Sequence, residues 1–290
     1  MQRIITSGLI LFFLIINITA QESRTRKKKS ATSARPVEVI DSTLILVPAD
    51  NPTMVPTQDI FDNSVNLAQI QEDTAGNTYS IFEIGEKTWM ARNLRTTLFN
   101  DGSQIPLITD NTEWSSKKDP AYCWYGNNPD SKDFYGALYN WHAVKTEKLC
   151  PSGWHIPTDA EWTELEIYLQ NNDFNYDGTV DADLDRETKN KIAKSLASES
   201  HWAESSVKGS IGNPDYQAYR NKSRFSALPS GYRNASDGSF DGVTSSAYWW
   251  SSTENDDGKA WIRGMKESDS AVSRTNPGKT GGYSVRCVKD

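Results

Sequence analysis

The sequence predicts an α+β domain with an irregular antiparallel sheet, two main helices and long loops, preceded by an export signal and a linker. Two observations support this class. All ten Trp and all twelve Tyr lie beyond residue 76, where a core rich in large aromatic side chains is therefore expected. Short strand-like runs dominate that part of the chain, and only two stretches show helical spacing of apolar residues.

The N-terminus has the pattern of a cleaved secretory signal. Arg3 precedes an almost entirely apolar run over residues 4–16, and Ile18-Thr19-Ala20 ends in a small residue. The run is shorter than the ~20 residues that a membrane-spanning helix needs, although an uncleaved anchor stays an alternative. We expect residues 1–20 to be removed and the mature chain to have no transmembrane segment. The predicted location is the periplasm, the outer-membrane surface or the extracellular space.

Residues 21–76 are predicted to form a basic, Pro-containing linker that is disordered or extended, followed by one domain over residues 77–290. Six basic residues and one acid lie within 21–35, whereas the whole chain carries a formal net charge of −7. The remainder is therefore acidic and would repel phosphate backbones, so nucleic acid is not an expected partner. The basic segment is expected to be a solvated tail.

Local patterns predict several elements of the domain. Gly85-Glu86 separates two strand-like runs and indicates a tight hairpin. Thr158 and Glu161 form a capping box, followed by an apolar helical face at Trp162, Leu165 and Leu169. A second helix is predicted at residues 189–198. The clearest later strands are predicted at residues 247–251, 260–264 and 282–288.

Seven ordered blocks carry a resemblance to a known family. The chain resembles the Fibrobacter succinogenes major paralogous domain, which occurs in many exported proteins of Bacteroidetes and Fibrobacteres. The longest matches are GEKTWMARNL at 85–94 and LCPSGWHIPTDAEW at 149–162; the blocks lie at 76–79, 84–94, 135–141, 149–162, 225–233, 248–254 and 284–288. The resemblance implies no settled biochemical activity.

A more distant resemblance concerns residues 154–162 and 284–288, which are similar to blocks of the formylglycine-generating, sulfatase-modifying enzymes. It implies a C-type-lectin-like fold, with two helices packed on a twisted, loop-rich sheet. The three cysteines allow three pairings in an oxidising compartment. The lectin-like resemblance favours Cys150 with Cys287. Cys123 is then expected to be a small buried hydrophobe, with a reactive thiol as the alternative.

Recognisable catalytic signatures are missing from the sequence. The copper-binding cysteine pair of the formylglycine-generating enzymes has no counterpart, because Cys287 has no neighbouring cysteine. Neither an H-E-x-x-H arrangement nor a G-x-S-x-G elbow occurs. His142 and His155 each follow a Trp and are expected to pack in the core. We therefore expect no enzyme activity.

Two stretches suggest binding sites. Asp173, Asn175, Asp177 and Asp181, with Gly178, match the first nine positions of an EF-hand loop and suggest calcium as a cofactor. Leu184 stands where the closing Glu belongs, so a turn-rich loop is the alternative. Trp249 and Trp250 suggest a sugar-stacking platform, because adjacent strand residues face opposite sides and the two rings cannot both be buried on one face. Core packing is the alternative for this pair.

Together these features predict an exported, non-catalytic binding module, with a carbohydrate or a cell-envelope component as its partner. A structural scaffold of the envelope is the second interpretation, since a stable exterior domain needs no ligand. An enzyme with an unrecognised site is the third.

Overall fold

A computed structural model of the protein describes residues 70–180 and 190–290. The predicted signal peptide at 1–20 and most of the predicted linker lie outside the described residues. Within them, no helix combines the length and the apolar character needed to cross a membrane. The sheet already includes Ile70–Glu72, which pairs antiparallel with Thr78–Ile84. The first strand thus lies within the segment predicted as linker, seven residues before the predicted start of the domain at residue 77.

The domain contains eleven short strands within the described ranges. They are β1 (Ile70–Glu72), β2 (Thr78–Ile84), β3 (Lys87–Met90), β4 (Tyr122–Trp124), β5 (Ala137–Tyr139), β6 (Ser230–Arg233), β7 (Phe240–Val243), β8 (Ser246–Glu254), β9 (Ala260–Lys266), β10 (Ser273–Thr275) and β11 (Val288–Lys289). They form sheets ordered β1-β2-β3-β11, β10-β9-β8-β6-β7 and β4-β5. All pairs are antiparallel except β6 with β8, which confirms an α+β class with mostly antiparallel sheets.

The described helices are α1 (Asn111–Ser116), α2 (Lys132–Tyr135), α3 (Trp141–Val144), α4 (Asp159–Asn171) and α5 (Ala193–Leu196). Only α4 exceeds two turns, so the prediction of two main helices is wrong for the second. Helix α5 is a single turn because Ala197 is already extended and forms a parallel bridge with Ala227. Ile192 and Leu196 are nevertheless buried, as their spacing predicted.

Helix α4 begins as the sequence predicted. The Thr158 hydroxyl accepts from the Glu161 backbone N–H at 3.2 Å, and the Glu161 carboxylate accepts from the Thr158 N–H at 2.8 Å. Two amides at the helix start thus obtain partners reciprocally. Trp162, Leu165 and Leu169 are buried against Trp89, Phe225 and Trp249 in one of the core clusters.

A disulfide joins Cys150 to Cys287 and confirms the predicted pairing, with 5.8 Å between the two Cα atoms. It ties the segment before α4 to the last segment of the chain and lies within a second core cluster. Cys123 is free and fully buried. Burial raises the pKa of its thiol to about 12, so at neutral pH it is a small buried hydrophobe, as expected.

Candidate functional site

A cleft lies between the β2–β3 hairpin and helix α4, and we call it the hairpin–helix groove. Its volume is about 790 Å³, within the range of small-molecule sites, roughly 300–1,000 Å³. It combines an apolar floor with charged rims; its lining residues are Ile84, Gly85, Glu86, Lys87, Trp89, Glu161, Glu164, Leu165, Tyr168 and Asp290.

One wall of the groove is an aromatic ring held against a glycine turn. Gly85 has φ +65°, which suits the tight turn that the sequence predicted. A Cβ at this position would lie 3.3 Å from Cδ2 of Tyr168, so the ring rests directly on the turn. Tyr168 is 39% exposed, which leaves part of its side chain to solvent. It follows Glu161 and Glu164 along the outer side of α4.

An ion network occupies one end of the groove. The Lys87 ammonium contacts Oε1 of Glu161 at 3.0 Å and Oδ1 of Asp290 at 2.6 Å. His155 Nε2 lies 2.8 Å from the same oxygen of Glu161. Strand β11 brings these residues together, because Val288 pairs with Trp89 on one side and with His155 on the other.

Two groups of this network, Glu161 and Lys87, are charged near neutral pH. Burial opposes ionisation of Glu161, but hydrogen bonds from the Thr158 backbone, His155 and Lys87 outweigh it and lower its pKa to about 2. The hydrogen bond to Asp290 and the contacts with Glu161 raise the pKa of Lys87. Because the two groups are locked as carboxylate and ammonium, neither is suited to proton transfer at neutral pH.

The same network offers a donor set for a metal. Three possible ligand atoms lie within 4.8 Å of one another, one from each of His155, Glu161 and Asp290. Imidazole and carboxylates are ligands that zinc accepts. However, Lys87 already bonds both carboxylates, so a divalent ion would have to displace an ammonium group. The arrangement fits a closed ion network better than a metal centre.

The predicted stacking platform is not at the surface. Trp249 and Trp250 are only 1% and 0% exposed and lie in different core clusters on the two sides of β8. Their indole N–H groups donate to Asn93 Oδ1 and to the Tyr139 carbonyl, each at 2.8 Å. The rings do face opposite sides, as predicted, but both sides of this strand are covered. Both rings are thus packed in the core, which is the alternative stated for this pair, and they form no surface platform.

The acidic side chains in the loop after α4, residues 173–177, form ion pairs with lysines. Asp173 pairs with Lys222 at 2.8 Å, and Asp177 pairs with Lys191 at 2.5 Å. Asn175 bonds within the loop and to the Lys191 N–H. Asp181 lies outside the described residues. The three described donors thus bond to groups of the protein itself, which favours the turn-rich loop, and calcium binding stays a prediction.

Sequence reasoning missed most of the groove. His155 was expected in the core, but its side chain is 39% exposed, because its backbone pairs with Val288 and leaves the imidazole at the rim; His142 is also only half-buried. Glu161 was assigned only to the helix cap. The one sequence signal for Tyr168 was its position seven residues after Glu161, on the same side of a predicted helix.

Comparison with known proteins adds one finding. The family model described as the Fibrobacter succinogenes major domain matches residues 82–289. No curated protein matches the chain, and neither does any solved structure.

Proposed function

We propose that this chain, which belongs to the Fibrobacter succinogenes major domain family, is an exported, non-catalytic binding module of C-type-lectin-like fold. Its ligand is a carbohydrate chain of the cell envelope or its surroundings, and the binding site is the hairpin–helix groove. The lectin-like architecture is supported by the similarity of residues 154–162 to a helix start of that group. The buried Cys150–Cys287 link between this start and the last segment also favours it.

The observation that carries the proposal is that the partly exposed Tyr168 lines the same groove as several charged side chains. The partly exposed Tyr168 ring offers a flat surface for the apolar face of a sugar ring. Glu86, Lys87 and Glu164 line the same groove and supply acceptors and donors for hydroxyl groups. A mostly apolar cleft with a few convergent polar groups is the usual form of a small-molecule site.

Binding without catalysis is favoured by the electrostatics of the groove. Glycoside hydrolysis needs one carboxyl group that stays protonated near neutral pH and a second that is ionised. Glu161 cannot supply the protonated group, since its pKa is lowered to about 2. Lys87 compensates its charge at 3.0 Å. These groups are suited to hold a ligand in place by charge-assisted hydrogen bonds.

A structural envelope scaffold is the second candidate. It is favoured by the two large aromatic core clusters and by the disulfide, which make a rigid body independently of any ligand.

A glycan array separates the two candidates. We expect the purified exported chain to bind a defined subset of glycans, and Tyr168→Ala to lose that binding. Tyr219→Ala is the matched control, because Tyr219 is also a half-exposed tyrosine but lies in the acidic loop region and not in the groove. Absence of glycan binding by the wild-type chain, or full binding by Tyr168→Ala, contradicts the proposed groove.

A further inference from the structure

A second, much smaller pocket lies where the segment after β3 meets helix α2 and the last segment of the chain. Four cationic side chains line it, Arg92, Arg95, Lys132 and Arg286, and we call it the cationic pocket. One carboxylate residue, Asp133, also lines it. In a chain whose net charge is −7, this local excess of positive charge stands out.

Arg286 is the innermost of these cations. Its side chain is 1% exposed and stacks on Phe225, with its guanidinium carbon 3.9 Å from the ring centre. Its N–H groups donate to Asn93 Oδ1 and to the carbonyls of Met90, Phe225 and Ser226. All these acceptors are neutral, and no carboxylate of the described residues contacts the group. A buried cation without an anionic partner is costly to hold.

The neighbouring cations add to this imbalance. Burial lowers the pKa of Arg286, and the charge of Arg92 lowers it further. Burial and the charge of Arg95 likewise lower the pKa of Arg92. Asp133 offsets part of this repulsion: its exposed carboxylate lies 3.7 Å from Arg95 Nε, its charge raises the pKa of Arg92, and its backbone carbonyl accepts a hydrogen bond from Arg92. An anion in the pocket would relieve the mutual repulsion of these guanidinium groups.

The size of the pocket restricts what can enter it. Its interior volume is about 10 Å³, which is about the space for one water-sized atom. Only one oxygen of an anionic group can therefore sit inside, while the rest of the molecule stays outside. A planar carboxylate meets this limit and matches the planar guanidinium fork.

We propose that the cationic pocket is a second binding site, which takes the carboxylate group of an organic anion. One carboxylate oxygen enters the pocket between Arg92, Lys132 and Arg286, and the second stays towards Arg95 and solvent. The site goes beyond the proposed function of the groove, since the two share no lining residue. A sugar acid and a free small carboxylate present the same group, and the probes below distinguish them.

Calorimetric titration of the full exported chain with sodium acetate, sodium glucuronate and sodium sulfate, at constant ionic strength, tests the proposal. We expect both carboxylates to bind, glucuronate the more tightly if the ligand is a sugar acid. Loss of one charge-assisted contact in Arg92→Gln or Lys132→Gln should weaken binding about tenfold. Lys266→Gln removes an exposed charge outside the pocket and should leave affinity unchanged.

Control variants distinguish carboxylate binding in the cationic pocket from glycan binding in the hairpin–helix groove. Tyr168→Ala, which removes the aromatic wall of the hairpin–helix groove, should bind carboxylates as the wild-type chain does. Lys132 is half-exposed on a short helix, so Lys132→Gln keeps the test valid even where Arg92→Gln folds poorly. Absence of carboxylate binding, unchanged affinity in folded Lys132→Gln, or equally tight sulfate binding would each overturn the carboxylate assignment.

Discussion

Helix α4 carries carboxylates on two sides. On both sides they pair with cationic side chains, but the two ion networks have different surroundings. On the inner side, Asp159 and Glu166 meet Arg263, which is 1% exposed. On the outer side, Glu161 meets Lys87 and His155 at the rim of the hairpin–helix groove. The two networks differ in their surroundings: Arg263 and Glu166 of the inner network are only 1% and 8% exposed, whereas Lys87 and Glu161 of the outer network line a cleft. We therefore expect the inner charges to matter mainly for stability and the outer charges to matter also for the proposed binding.

The inner network joins α4 to two strands of the five-stranded sheet. Arg263 of β9 contacts Asp159 at 2.6 Å, hydrogen-bonds Glu166 and donates to Thr163 Oγ1 at 3.0 Å. Arg274 of β10 contacts the other oxygen of Asp159 at 2.8 Å. Because these groups neutralise one another away from water, loss of one partner leaves a buried charge.

The largest effect is expected when the inner network is broken. Arg263→Met should destabilise the protein by about 3–5 kcal/mol, because it leaves Glu166 buried without its cation. Urea unfolding followed by tryptophan fluorescence measures the loss. Arg274→Met is the control, since Arg274 is 24% exposed and Asp159 keeps Arg263 as a partner. A loss no larger than that of Lys87→Gln would contradict the division between the two sides.

A smaller loss of stability is expected from substitution of Glu161, which both caps helix α4 and lines the groove. Glu161→Gln should cost about 1–2 kcal/mol at neutral pH, after allowance for solvent screening. The folded-state pKa of Glu161 is lowered from 4.5 to about 2. Its stabilisation is therefore complete above the unfolded-state pKa and is lost as the pH falls from 4.5 towards 2.

The pH dependence of this variant is the readout. Urea midpoints of wild type and Glu161→Gln should differ most near neutrality and converge as the pH falls through that window. A difference between the two proteins that stays constant with pH would show that the carboxylate charge plays no part.

Removal of the Lys87 charge on the outer side of α4 should lower the free energy of unfolding less than either Arg263→Met or Glu161→Gln. Lys87→Gln is expected to cost about 0.5 kcal/mol, typical of an ion pair near the surface. Its effect on ligand binding should be larger, because Lys87 lines the groove. Thermal unfolding and binding of an array-positive glycan, measured on the same sample, check both parts. A large loss of stability together with unchanged glycan binding would reverse the roles given to the two sides of α4.

The acidic loop after α4 provides the smallest expected effect. Its acids are paired with Lys191 and Lys222, so millimolar calcium should leave the thermal midpoint unchanged relative to chelator. Asp177→Ala should not alter that result. A calcium-dependent rise in the midpoint that Asp177→Ala abolishes would show that the loop is the calcium site that the sequence suggests.

The sequence predicts correctly those features of the fold that depend on residues close together in the chain. The capping box at Thr158 and Glu161 and the turn at Gly85 depend on residues a few positions apart, and both are present. The disulfide could be chosen only through the family resemblance, because three cysteines leave three pairings. The lysines that pair with Asp173 and Asp177 follow them by 49 and 14 residues, so the loop alone resembled a calcium site.

The groove depends on pairings that no local pattern contains. It exists because β11 lies beside β3, with Val288 opposite Trp89. This contact brings Asp290 to Lys87 and turns His155 towards the rim. The burial of both Trp249 and Trp250 likewise depends on elements that cover the two sides of β8. Such coverage is a property of the whole fold, whereas strand alternation predicts only that the two rings face apart.

Amide chemical-shift mapping tests the central claim, that the hairpin–helix groove is the ligand site, most directly. The ¹⁵N-labelled exported chain would be titrated with a glycan that is positive on the array. We expect the largest shifts to cluster at residues 84–89 and 161–168, on the two walls of the groove, and to vanish in Tyr168→Ala. Shifts concentrated elsewhere in the domain, with those two walls unperturbed, would contradict the claim.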